Sequence, residues 1–255
     1  MGLRARRRDR AARSGVELFL YERVFADCLD RLALVQRRFD HALLIGCPDP
    51  SWPARLGDRA ERIDVRDPGS LFAEAAGGQC IVEDRWPPPR GAYDLVVAIG
   101  TLDTVNDLPL ALRLIVEAMT EDAMLIGAIS GGETLPLLRN AMRAADAVTG
   151  IAAPHIHPRV EASALAPLLS AAGLSMPVVD VDRVEVSYRS FERLVSDLRA
   201  MAATNILVER PARPFGRAAF QAAKQAFEER GTDGRTPEVF EILHFSAWKN
   251  HQGRG

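Results

Sequence analysis

Two histidines, His155 and His157, alternate inside the proline-bounded loop "APHIHPRV". Imidazole titrates near neutral pH, so either side chain can serve as a general base or bind a substrate group. With no cysteine or carboxylate cluster beside them they make a poor metal site. Bracing the loop through a hydrogen bond is the plainer use. A second stretch with chemical potential is "HALLIGCPDPSWPARL". It opens as an apolar strand ending in Gly46, as a loop that cradles a phosphate or cofactor does. Where further glycines would let the backbone approach a ligand, it supplies Pro48 and Pro50. Proline fixes φ near ~−65°, removes an N–H, and pushes the residue before it toward extended geometry. A plain strand-to-helix turn is the alternative reading.

Carboxylates supply the third kind of chemistry. "ERIDVRD" offers Asp64 and Asp67 close to a strand end, and Asp64 follows Ile63 directly. An acid there can accept both hydroxyls of a ribose or simply cap a turn or helix. "IVEDRWPPP" adds Glu83 and Asp84, and Asn106-Asp107 precede a helical pattern that they would cap.

These residues need a scaffold, and hydrophobic periodicity predicts one. Residues 17–39 have apolar positions at helical spacing, so an amphipathic helix opens the ordered chain. "HALLIG", "ERIDV", "QCIVED", "YDLVVAIG" and "AMLIGAIS" read as strands, with helical patterns between several of them. Strands apolar on both faces, alternating with helices, predict a mostly parallel α/β sheet covered on both sides. "MPVVDVDRVEVSY" alternates like a half-buried strand, residues 190–203 and 215–230 are helical, and "EVFEILHFSAW" is a last strand. The predicted layout is a basic segment and helix over 1–40, a sheet core over 41–189, a helical cap over 190–232, and a final strand and tail over 233–255.

Composition sets outer limits. At 255 residues, with 47% hydrophobic and 26% charged residues, the chain is of ordinary soluble type. A net charge of −2 gives no global pull toward nucleic acid or anionic lipid. Cys28, Cys47 and Cys80 lack metal-ligand spacing and suit a reducing cytoplasm. No apolar run approaches the ~20 residues that span a bilayer. "MGLRARRRDRAAR" reads as a solvated basic lead-in or surface helix, suited to an acidic partner or to the periphery of a membrane-bound complex.

Several co-linear segments carry a resemblance: "RRRDRAA", "VNDLPLAL", "LIGAISGGETLPLLR", "PHIHPR", "VDVDRVEVSY", "DLRAMAATN" and "GRTPEVFEILHFSAWK". Together they resemble the methyltransferase-like assembly factors of respiratory complex I. These are relatives of the biotin-synthesis malonyl-carrier-protein methyltransferase, within the class I S-adenosylmethionine-dependent superfamily. The resemblance implies a Rossmann-like fold whose last strand is antiparallel, with S-adenosylmethionine as cofactor. It implies methylation of a protein or carrier-bound substrate, or hydroxylation of an arginine in a complex I subunit. Cofactor contacts are expected at Gly46, Asp64, Asp84 and Gly100, and substrate-facing positions at Asp103, Thr104, His155, His157 and Asn205. His155 and Asn205 are the candidates for catalysis. The sequence departs from the family pattern where an acid and two further glycines are usual: Leu44, Pro48 and Pro50 stand there. Asp103-Thr104 replaces a His-Trp pair. The departures imply an alternative, a non-catalytic paralogue that keeps the fold and serves as a binding or assembly factor.

Overall fold

The computed structural model describes residues 2–211 and 216–250. Its center is built from the most apolar stretches. β1 (Phe39–Ile45), β4 (Tyr93–Ile99) and β5 (Met119–Ser130) run parallel, and Leu43, Leu44, Val96, Val97 and Ile126 within them are wholly buried. Such strands need cover on both faces. On one face α2 (Phe19–Leu34) and α3 (Trp52–Leu56) supply Phe25, Leu32, Trp52 and Leu56. On the other, α5 (Leu108–Ala118) and α7 (Ala162–Ala171) supply Leu112, Ile115, Leu165 and Leu169.

β2 (Ala60–Asp67) and the two-residue β3 (Gln79–Cys80) extend the sheet beyond β1. Beyond β5 lies the last strand, β7 (Thr236–Lys249), antiparallel to it, and then β6 (Leu174–Tyr188). The order is β3-β2-β1-β4-β5-β7-β6. The chain therefore winds one way from β1 and the other way from β4. Ligands of open α/β sheets bind in the crevice where that reversal occurs, outside the carboxyl ends of the strands.

α4 (Ser70–Ala75) follows β2, and α6 (Pro136–Thr149) follows β5. α8 (Phe191–Ala200) and α9 (Arg217–Glu228) fall between β6 and β7 and pack with α6. Alanines spaced four apart, Ala141 and Ala145 on α6 and Ala219 and Ala223 on α9, keep those helix faces small and buried.

Two sequence expectations need revision. "QCIVED" pairs only at Gln79 and Cys80, because the chain leaves the sheet edge where Glu83 turns inward as a fully buried acid. Of its two readings the basic start takes the helical one, but the helix is packed rather than solvated. It forms α1 (Gly2–Ser14) and folds across the carboxyl ends of the strands, with Arg8 only 4% exposed. Among the described residues, no helix is long and apolar enough to cross a membrane.

Candidate functional site

Two turns set the floor of the crevice. Gly46, directly after β1, has φ +83°, and a β-carbon there would lie 2.1 Å from the Ile99 carbonyl oxygen. Gly100, directly after β4, has φ +63°, and a β-carbon would lie 2.4 Å from the Tyr21 ring. Only glycine satisfies both demands. Past Gly46 the proline-bearing loop turns early into α3, with the Ser51 N–H donating to Asp49 Oδ1 at 2.8 Å.

The acid that meets the first of these turns is Asp67, the last residue of β2. The Cys47 N–H donates to its Oδ2 at 2.9 Å and the Gly69 N–H to its Oδ1 at 2.7 Å. Arg8 of α1 then clamps the same carboxylate, Nε on Oδ1 and Nη2 on Oδ2. Burial works against the Arg8 charge, but Asp67 outweighs it and holds the guanidinium protonated. One helical turn earlier, Arg4 makes a second fork, Nη1 and Nη2 on Glu83 at 2.6 and 2.8 Å. Its Nε also donates to Thr104 Oγ1 at 2.9 Å. Spacing i, i+4 puts both arginines on one face of α1. Tyr21 closes the far side, its hydroxyl donating to the Met201 carbonyl at 2.7 Å. A cavity of about 100 Å³ is left, against roughly 300–1,000 Å³ for small-molecule sites.

Asp64 lies elsewhere. It pairs with Leu43 in mid-sheet, accepts from the Tyr93 hydroxyl at 2.8 Å, and sits 3.4 Å from His41 Nε2. The strand runs three residues further than "ERID" suggests, so Asp67 takes the strand-end position and Asp64 does not. Asp84 is 5% exposed, accepts weakly from the Asp107 N–H at 3.3 Å, and leaves Oδ1 without a partner among the described residues. Its neighbor Glu83 is the acid that faces α1. Asp107 caps α5 as expected, accepting from the Leu110 N–H at 2.8 Å.

The substrate-facing group divides in two. Asp103 forms a buried ion pair with Arg159. Burial pushes its carboxyl up, but the Arg159 guanidinium prevails and holds it below the usual range. Asp103, Thr104 and His157 all line a cavity of about 450 Å³ beside Arg4. His157 Nε2 accepts from the Ile206 N–H at 3.3 Å, and burial followed by Arg159 lowers its pKa, favoring the neutral ring. His155 and Asn205 brace loops: His155 Nε2 is 2.8 Å from Asp146 Oδ1, and Asn205 donates to the Pro154 carbonyl at 2.7 Å. Sequence reading missed Arg4, Arg8 and Arg159. The i, i+4 spacing of Arg4 and Arg8 was the available signal for that pair; Arg159 closes the segment "PHIHPR", but nothing local ties it to Asp103.

The donor set suits an adenosyl cofactor: a strand-end acid hydrogen-bonded beside the first of two adjacent close-approach glycine turns. It does so only with Arg8 withdrawn, because the guanidinium holds both oxygens that a ribose diol would use.

No family profile matches the chain. It is 32% identical to the zebrafish (Danio rerio) mitochondrial arginine-hydroxylase NDUFAF5 over 247 residues, covering 92% of this chain and 77% of the relative. The human protein of that name is 30% identical, with coverages of 92% and 71%. The chain belongs to the NDUFAF5 family. This is the branch of methyltransferase-like assembly factors whose motifs the sequence carries. The malonyl-[acyl-carrier protein] O-methyltransferase of Laribacter hongkongensis is 28% identical over 70% of this chain and 59% of its own length. Among solved structures, the YcgJ protein of Bacillus subtilis superposes with a TM-score of 0.58 at 10% identity, covering 87% of this chain and 97% of that one. Phosphoethanolamine N-methyltransferase 2 of Haemonchus contortus, solved with S-adenosyl-L-methionine, gives 0.54 at 11% identity over 89% and 52%. These likenesses show the class I methyltransferase fold.

Proposed function

We propose that the protein is an S-adenosylmethionine-dependent enzyme of the methyltransferase family that modifies a protein or carrier-bound substrate in respiratory complex assembly. The observation that carries this reading is Asp67, a strand-end carboxylate that accepts from the Cys47 N–H just past the Gly46 turn, which in the strand order stands next to the Gly100 turn of β4. Asp67 would accept the ribose hydroxyls, the two glycine turns would face the sulfonium end, and Glu83 or Asp84 would meet the adenine amino group. When bound, the cofactor supplies an activated methyl group. Arg8 must leave Asp67 as the cofactor seats, so α1 acts as the door of the site. His157, neutral and beside the cleft, spends its acceptor nitrogen on the Ile206 N–H and so braces the cleft wall, while Asp103 fixes Arg159 as a buried cation. A complex I subunit is the proposed partner, and three free cysteines favor a reducing, cytoplasmic setting.

The alternative reading, a non-catalytic assembly factor, draws on Arg8 and Arg4 saturating both acids; the retained Asp67 and glycine turns weigh against it. Calorimetric titration with S-adenosylhomocysteine separates the two. Saturable binding is expected in the wild type, lost in Asp67→Ala and held within about threefold in Asp64→Asn, which lies away from the crevice. No heat at millimolar ligand would leave the assembly factor standing. Loss in Asp64→Asn but not in Asp67→Ala would return the ribose contact to Asp64.

A further inference from the structure

Beneath α8 and against α6, beside the loop that bears His155 and His157, lies a cavity of about 640 Å³. That volume is within the roughly 300–1,000 Å³ of small-molecule sites. Its wall is apolar, with Leu138, Met142, Phe191, Val195 and Phe220 among the lining residues. Its charged rim is of one sign. Arg7 from α1, Arg199 from α8 and Arg210 from the following loop all line it, and no described acidic residue does. Nor do residues 212–215, which follow Pro211, contain an acid.

None of the three arginines has an ion-pair partner among the described residues. Among the described residues, Arg7 Nε is buried without a hydrogen-bond acceptor, and Arg210 Nη1 donates only to the Leu207 carbonyl. Burial, then Arg10, Arg210 and Arg199, disfavors the Arg7 charge. Guanidinium groups gathered this way repel one another and lack the counter-charge that partly buried cations normally have. A carboxylate supplies that counter-charge through paired N–H donors. The Arg8 and Arg4 forks in the cleft show what these side chains do when an acid is available.

We propose that this cavity binds an amphiphilic anion, a carboxylate on an apolar stem, as the substrate class of the adjoining cleft. Leu135, His157, Arg159 and Leu198 line both spaces, so a ligand seated here abuts the cleft. The substrate role rests on reading that cleft as the cofactor site; the binding itself does not. The geometry also sets this chain apart from relatives named as arginine hydroxylases. A substrate guanidinium in this cavity would face Arg7, Arg199 and Arg210, with Arg159 at the cleft side, and no carboxylate among the described lining residues.

Titrating the full chain, without cofactor, with decanoate, decanol and decyltrimethylammonium below their micellar concentrations tests the proposal. Decanoate should bind at least about tenfold more tightly than decanol, and the cation should not bind. Affinity for decanoate should fall as salt rises. Arg199 is exposed, so Arg199→Glu should fold normally; it should weaken decanoate by about tenfold or more and leave decanol unchanged. Equal binding of all three probes, no binding of any, or an indifferent Arg199→Glu overturns the proposal. S-adenosylhomocysteine titrated into the same sample reads the cleft separately. Cofactor binding without decanoate binding overturns the anion site alone, and the converse pattern upholds the anion site and removes its substrate role.

Discussion

The cleft at the strand ends and the cavity under the cap treat arginine in opposite ways. In the cleft, every guanidinium has a carboxylate: Arg8 with Asp67, Arg4 with Glu83, Arg159 with Asp103. About 100 Å³ remains between Arg8 and Tyr21, with a separate space of about 450 Å³ past Arg4. In the cavity, Arg7, Arg199 and Arg210 have none among the described residues, and about 640 Å³ stays open. A single helix, α1, contributes to both, with Arg4 and Arg8 turned to the cleft and Arg7 to the cavity. The difference teaches that charge balance, more than the outline of the fold, marks which space is closed by the chain itself and which asks for a ligand.

The sharpest way to break this contrast is to remove an acid from the cleft. Asp67→Ala strands Arg8 as a buried, unpaired cation, which costs on the order of 3–5 kcal/mol. Urea denaturation measures it, and a loss below about 1 kcal/mol would mean that Arg8 is not buried as described. The next largest effect concerns the floor of the cleft. Gly46→Ala places a methyl 2.1 Å from the Ile99 carbonyl at φ +83°, and the strain should cost about 2–3 kcal/mol. The same change at the exposed Gly15, which also has positive φ but open space around it, should cost only about 1 kcal/mol.

The mildest effect is one of pH. Because Arg159 holds Asp103 below its usual range, the stability from that ionized carboxylate is complete above the unfolded-state pKa. It is lost as pH falls through the lower folded value. The stability gap between wild type and Asp103→Asn should therefore be widest near neutrality and narrow below about pH 4. A gap that widened on acidification would contradict the ion pair.

How much of this was legible beforehand varies with distance along the chain. Runs such as "YDLVVAIG" announce buried strands because burial on both faces leaves no polar positions, and the sheet followed. Asp107 was readable as a cap because its partner is three residues away. Arg8 and Asp67 are 59 residues apart, and Arg4 and Glu83 are 79 apart. No local pattern records such pairings. The choice between Asp64 and Asp67 depended on where β2 stops, which pairing with β1 and β3 decides. The cavity's arginines come from α1, α8 and a loop, so only folding assembles them. The two prolines after Gly46 did mark a short loop, but the residue that closes the crevice comes from α1.

Hydrogen–deuterium exchange of α1, with and without saturating S-adenosylhomocysteine, tests the central claim most directly. If Arg8 holds the cofactor's place on Asp67, ligand binding should release the helix, and amides within residues 2–14 should exchange faster. Binding that leaves α1 as protected as before, or more so, would contradict the account.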